Sequence, residues 1–410
     1  MLCSLVLLAP APGRAEEGHP AVEVSGWLRF RLDDPHGQPN STLYQAQQLG
    51  LPGGDAAPSL RTLNADVKLV AGPVVASAAL TQFKVGADAW SSYARFNELN
   101  ASGAALGWYY TVGRKIVSWD VGWGFRPNDL IQQEARMLLT DNTLQGRPLL
   151  MVEKFDDDAA LSLVAVNPTR SAHSVGGDEP ALAGRYFRHQ GAVDLYGFGR
   201  WGERTHASVG ASLSWVATDS TEWHASWNSA QALDTLCVDV PSGLVGETPA
   251  RDCTVGRRQR VLLGNTWSSA NNVNLITEWW WDGGAPSPAT WRDWTARNRL
   301  LAHMASSAPV AGRAPLAGNL AWQSDALLQT NLHRSNVLVS FNWGYDGYAI
   351  SVYQLWHPAD AGRIATATVG WSSGAWDWNV GARWYGGPRT SVTAQLPTRD
   401  QVYFESSWKF

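Results

Sequence analysis

Residues 22–31 place Val22, Val24, Gly26, Leu28 and Phe30 on one side of an extended chain, with Glu23, Ser25, Arg29 and Arg31 on the other. A period of two is the signature of a strand with two unlike faces. The pattern recurs to the end of the chain. Leu63, Ala65, Val67 and Leu69 alternate with polar residues, as do Leu106, Trp108, Tyr110 and Val112. Later copies are Val209 to Trp215, Val273 to Trp279 and Trp376 to Trp384, read at every second residue. So many strands present large aromatics on their apolar side that no single sandwich core would absorb them, which points to lipid as their neighbour.

Composition agrees. The 410 residues are 45% hydrophobic and include 23 Trp and 39 Gly, with a formal net charge of -4. Mean hydropathy is -0.21, and no run approaches the ~20 apolar residues a spanning helix needs. A barrel whose strands face lipid and water alternately averages its hydropathy in this way and collects Trp and Tyr at the two interfaces.

Short joins fall at 72–73, 100–103, 156–158, 190–191, 217–220, 268–271, 344–347 and 372–374. Longer segments, 32–59, 115–145, 167–181, 231–256, 283–332 and 387–399, lie between them. Short turns on one rim and long loops on the other describe a single closed antiparallel transmembrane β-barrel of about 18 strands, or about 16 if the weakest, 90–98 and 182–189, are discounted. Within the longest loop, residues 291–304 predict a short helix with Trp291, Trp294, Asn298 and Leu301 on one face.

The N-terminus reads as an export signal over residues 1–15, apolar from Leu2 to Pro10 and cut after the Gly13-Arg14-Ala15 site, leaving 16–410 as the barrel. The alternative is a buried strand or helix. Cys237 and Cys253 are expected to form a disulfide in an oxidising compartment, since neither sits in a metal-ligand pattern. No cofactor or metal is implied, and the acidic balance without a basic run argues against nucleic acid.

The last strand carries Val402, Phe404, Ser406, Trp408 and Phe410 on one face. An alternating strand ending in an aromatic residue resembles the bacterial outer-membrane protein superfamily. That resemblance implies an outer-membrane location amid lipid and lipopolysaccharide, with Val402, Phe404, Trp408 and Phe410 read by the barrel-assembly machinery. A second resemblance, to the alginate-export and related porin-like barrels, covers most of the chain. It rests on Gly113-Arg114-Lys115 ending a strand, Trp119 to Gly124, and Gly146-Arg147-Pro148-Leu149-Leu150 with Glu153. It implies an eighteen-strand barrel with a basic lumen restricted by a loop, and no cargo-contact motif carries over.

These readings predict a porin-like channel or exporter that passes small hydrophilic or anionic solutes, saccharides among them, by diffusion. Segment 115–145, with Lys115, Arg126, Asp129, Glu134 and Arg136 among aromatics, narrows the lumen if it folds inward and is a solvated cap if it does not. Arg29, Arg31, Lys68, Arg95 and Arg383 fall on the inward parity, where water tolerates charge and guanidinium groups select carboxylates. Two alternatives stay open: a lipid hydrolase using His333 and Ser335, which needs an orienting acid and an oxyanion donor besides, and an adhesin acting through the long loops.

Overall fold

A computed structural model describes residues 22–49, 57–133, 145–167, 179–241 and 246–410. The expected signal segment lies outside them, as do Glu134 and Arg136.

The strands run β1 (Val22–Gly37), β2 (Leu60–Ala71), β3 (Val74–Val85), β4 (Ser91–Ala105), β5 (Trp108–Lys115) and β6 (Arg147–Phe155). Next come β7 (Ala159–Val166), β8 (Ala181–Gln190), β9 (Val193–Gly202), β10 (His206–Thr218) and β11 (Thr221–Ala230). A separate hairpin, β12 (Leu233–Val238) with β13 (Ala250–Val255), rises from one loop. The wall resumes with β14 (Arg258–Ser268), β15 (Val273–Asp282), β16 (Ser335–Tyr345), β17 (Tyr348–His357), β18 (Gly362–Ser373), β19 (Trp376–Gly386) and β20 (Thr398–Lys409).

All but the hairpin belong to one 18-stranded antiparallel sheet. It closes because β1 pairs with β2 on one side and β20 on the other, Leu28 standing opposite both Ala65 and Trp408. The Gly26 and Phe410 backbones exchange hydrogen bonds of 3.0 and 3.1 Å across this seam. Closure leaves no unpaired edge, and in lipid each unsatisfied backbone group costs several kcal/mol.

The outward face is apolar and banded. Trp215, Trp223, Trp267, Trp376 and Trp408 ring the short-turn rim, while Trp201, Trp279, Trp281, Trp356 and Trp384 ring the long-loop rim, each at least partly exposed. Two aromatic belts around an aliphatic band are what a membrane-spanning barrel presents to its two interfaces.

Two boundaries differ from expectation. Residues 100–103 lie inside β4, and the reversal comes at Leu106 and Gly107, with φ of 54° and 77°. Asn100 imitates a turn residue, but its side chain points inward and donates to the Arg114 carbonyl at 3.2 Å. The first strand also runs on past residue 31 to Gly37, through Pro35. Beyond Asp33 β1 pairs only with β20, so the missing proline N–H leaves no gap in a ladder.

The long loops carry α1 (Thr42–Gln48), α2 (Pro288–Ser307) and α3 (Val310–Trp322). Ser287 caps α2, its Oγ accepting from Thr290 N at 3.1 Å, and Pro288 follows at the position where a missing N–H is harmless. The predicted face of α2 is the buried one: Trp291, Trp294, Asn298 and Leu301 all lie inside. Trp291, Trp294 and Leu301 join Leu43 and Ala46 of α1, Leu320 of α3, and the inward wall residues Leu262, Trp280, Leu338, Leu355, Ile364 and Tyr385 in one apolar cluster. The disulfide Cys237–Cys253 ties β12 to β13.

Candidate functional site

The segment after β5 folds into the lumen. Its two ends, Val117 with Trp119 and Leu130 with Ile131, pack against inward residues Leu149, Met151, Val164, Val166, Ala183 and Phe198 of β6 to β9. Between them the segment reaches β10, β11 and β15, where three polar residues hold it.

Glu278 of β15, 1% exposed, accepts from the Trp123 and Gly124 amides at 2.6 Å each and contacts His224 Nε2 at 2.9 Å. A carboxylate that receives two backbone amides and an imidazole is well satisfied in a dry site. Asp120, at φ 100°, turns its carboxylate onto Ser212 Oγ at 2.6 Å, Ser226 Oγ at 2.8 Å and Asn128 N at 2.6 Å. Asn128 is fully buried and donates to Ser226 Oγ at 2.8 Å and to the Trp227 carbonyl at 3.1 Å. Its own Oδ1 accepts from Asn228, which in turn accepts from Arg260 at 3.0 Å. Phe125 stacks on Trp280 at 5.8 Å, joining the loop to the helical cluster.

Glycines admit these side chains. A Cβ on Gly210 would land on Asn128 Oδ1, and one on Gly264 would land on His224 Nε2.

The predicted charges of this segment are used within it. Arg126 donates to the Gly122 carbonyl at 2.8 Å and Ser118 Oγ at 2.6 Å, and buried Asp129 accepts from Trp119 N at 3.4 Å. Both shape the loop. Lys115 ends β5 opposite Arg147.

The wall arginines do assemble. Arg31 holds Asp33 with Nε and Nη2 both at 2.9 Å, approaches Glu405 at 3.6 Å and lies 4.3 Å from the Tyr403 ring centroid. Arg29 approaches the same Glu405 at 3.5 Å and covers the Trp27 ring. Arg383 donates to Tyr353 Oη at 2.8 Å and Thr366 Oγ1 at 3.0 Å. Arg95 lies over Tyr93, in the same cross-strand row as Asp66, while Lys68 is exposed farther toward the short turns. The two apolar clusters take no described residue from β1 to β5 or from β20. Among the described residues, the arginine face is thus the stretch of inner wall that neither apolar cluster of loops and helices covers.

The aromatic partners Tyr353 and Tyr403 were not singled out in the sequence, nor were Asn128 and His224. Parity alone places Tyr403 inward, between outward Val402 and Phe404, so that signal was present.

His333 and Ser335 do not meet as base and nucleophile. Ser335 Oγ lies on the outward face, accepting from Trp279 Nε1 at 3.0 Å. His333 is buried at the long-loop rim, 2.9 Å from Asp360 Oδ2, with its ring tilted against that of His357 at 4.9 Å between centroids. Burial pushes the Asp360 carboxyl up, but its bond to His333 and the amides of Val392 and Gly362 outweigh that and hold it below the usual carboxylate value. Glu179, at the same rim, is likewise pulled below its usual value despite burial, by Thr205 Oγ1, the Arg204 amide and Arg200.

Val402, Phe404, Trp408 and Phe410 lie on the outward side of the closing strand.

No family model matches the sequence, and no curated protein matches it. Among solved structures, the chain is similar to Pseudomonas aeruginosa OccK5 (OpdH), at 10% identity and a TM-score of 0.51, over 95% of this chain and 98% of that one. Pseudomonas aeruginosa OccK11 (OpdR) gives 10% identity and a TM-score of 0.51, over 95% of this chain and 96% of that one. With its closed barrel of 18 strands and its outward apolar band, the chain has the fold of the outer-membrane porins.

Proposed function

We propose that this barrel is a diffusion channel of the bacterial outer membrane for small hydrophilic solutes, with a preference for anionic ones. One observation carries the reading. The described loops and helices pack on the inner wall from β6 round to β19, and the wall they leave to solutes carries Arg29, Arg31, Lys68 and Arg95, with Arg383 beside it. Guanidinium groups bind carboxylates in bidentate geometry, and Glu405, shared by Arg29 and Arg31, with Asp33, held by Arg31, keeps these two arginines extended along the wall. Aromatic faces at Trp27 and Tyr403 hold the same guanidinium planes in place. The closing strand, with Val402, Phe404, Trp408 and Phe410 outward, fits recognition by the barrel-assembly machinery.

The test is single-channel current across a planar bilayer under a salt gradient. Wild-type protein gives discrete steps with a reversal potential on the anion side, and Arg29→Gln/Arg31→Gln moves it toward cations. A folded but silent barrel, or an unchanged reversal potential in the double variant, would overturn the reading.

A further inference from the structure

Arg61 of β2 and Lys84 of β3 are direct cross-strand partners. Both follow the outward parity: Arg61 shares its face with exposed Leu63 and Val67, and Lys84 shares its face with exposed Leu80 and Gln82. They therefore point away from the lumen. Like charges directly opposite one another in a sheet repel. Neither makes a hydrogen bond or ion pair among the described residues, and Asp34, on the outward parity of β1, pairs with neither.

Their height explains how lipid tolerates them. Arg61 is the second residue of a 12-residue strand whose other end enters the Gly72-Pro73 turn, and Lys84 is the last but one of its own 12. A tilted strand crosses the hydrocarbon in about 9–11 residues, so the pair stands at headgroup level on the long-loop rim. A charge there costs little, whereas the same charge at the midplane is strongly destabilising.

Beside the pair, the outer wall is hollowed. A groove of about 340 Å³ is lined on the lipid face mostly by apolar side chains, Leu28, Phe30, Leu63, Ala65, Leu80 and Trp376, with Gln82 and Ser406 as its polar members. Ala65 leaves the space between larger neighbours. Trp376 opens β19 at the short-turn rim, so the groove climbs from there toward Leu63, two residues below Arg61 on the same face. Two cations with no ion-pair partner among the described residues, above a mostly apolar channel, match a lipid with an anionic headgroup.

We infer that Arg61 and Lys84 clamp a phosphate of the lipid A part of lipopolysaccharide, with one acyl chain lying in the groove. The inference rests on the outer-membrane reading proposed above, because it is the long-loop rim that faces the outer leaflet.

Native mass spectrometry of the full barrel in detergent tests it. The probes are bisphosphorylated lipid A, its dephosphorylated form, phosphatidylglycerol and inorganic phosphate. Wild-type protein retains one lipid A, and dephosphorylation weakens binding by about tenfold or more, as loss of a charge-assisted contact implies. Arg61→Ala/Lys84→Ala lowers affinity to a similar degree, and Ala65→Trp, which fills the groove, lowers it independently. Lipid A binding at wild-type strength in either variant would overturn the site, as would equal retention of phosphatidylglycerol or inorganic phosphate. Both variants keep wild-type conductance steps, so a failure of the channel reading shows separately as a silent wild-type barrel.

Discussion

Glu278 and Gly124 are 154 residues apart in sequence, yet the carboxylate of one accepts from the amide of the other at 2.6 Å in the middle of the barrel. Glu278→Ala orphans that amide, the Trp123 amide and His224 together. Each buried group left unpaired costs about 1–3 kcal/mol. The Asp120 and Asn128 contacts persist, so the barrel stays folded while this end of the loop loosens. The expected result is greater open-channel current noise, and faster protease cleavage within residues 121–125, at an unchanged strand signal in circular dichroism. Noise and cleavage at wild-type levels would show that Glu278 does not anchor the loop.

Gly264→Ala reaches the same contact from behind. A methyl at this position occupies the place of His224 Nε2, and the imidazole has to swing off Glu278. Because Glu278 keeps both amides, the effect on current noise falls between those of wild type and Glu278→Ala. An effect as large as that of Glu278→Ala would mean the glycine supports something more than the imidazole.

Alternation made the barrel legible, because lipid and water on opposite faces write themselves into every second residue. Arg29, Arg31 and Arg383 fall inward on that basis alone. What each inward residue meets was not legible. Arg126 read as a lumen charge, but a loop that turns back on itself brings Gly122 and Ser118 to its guanidinium. Asn128 carried no signal, since its partners on β10 and β11 come from 83 and 98 residues downstream. The β12–β13 hairpin was hidden in what read as loop because it pairs only with itself, outside the barrel register.

That hairpin gives a third prediction. Cys237 and Cys253 are 16 residues apart, and closing a loop of that size contributes about 3 kcal/mol to the segment it closes. Cys237→Ser/Cys253→Ser removes it from the hairpin alone, because the barrel ladder passes directly from β11 to β14. Limited proteolysis under native conditions then cuts residues 233–255 first, with the thermal unfolding of the barrel unmoved. A matching drop in barrel unfolding temperature would place the hairpin inside the cooperative unit.

Acid should loosen the loop cap through Asp360. Its carboxyl accepts from the Val392 and Gly362 amides and faces His333 at 2.9 Å, so it ties residue 333 and the 387–397 loop to the β17–β18 turn. The folded state holds this group below its usual value. The unfolded chain therefore takes up the proton first as pH falls, and the stabilisation is fully present above the ordinary carboxylate value of about 4. It is lost progressively below that point, through the depressed folded value. Asp360→Asn keeps the shape but removes the titration. Protease susceptibility of residues 387–397, followed from pH 7 downward, should rise below about pH 4 in wild type. In the variant it should already be raised at neutral pH and change less on acidification. If both proteins respond to acid alike, some other group governs the cap.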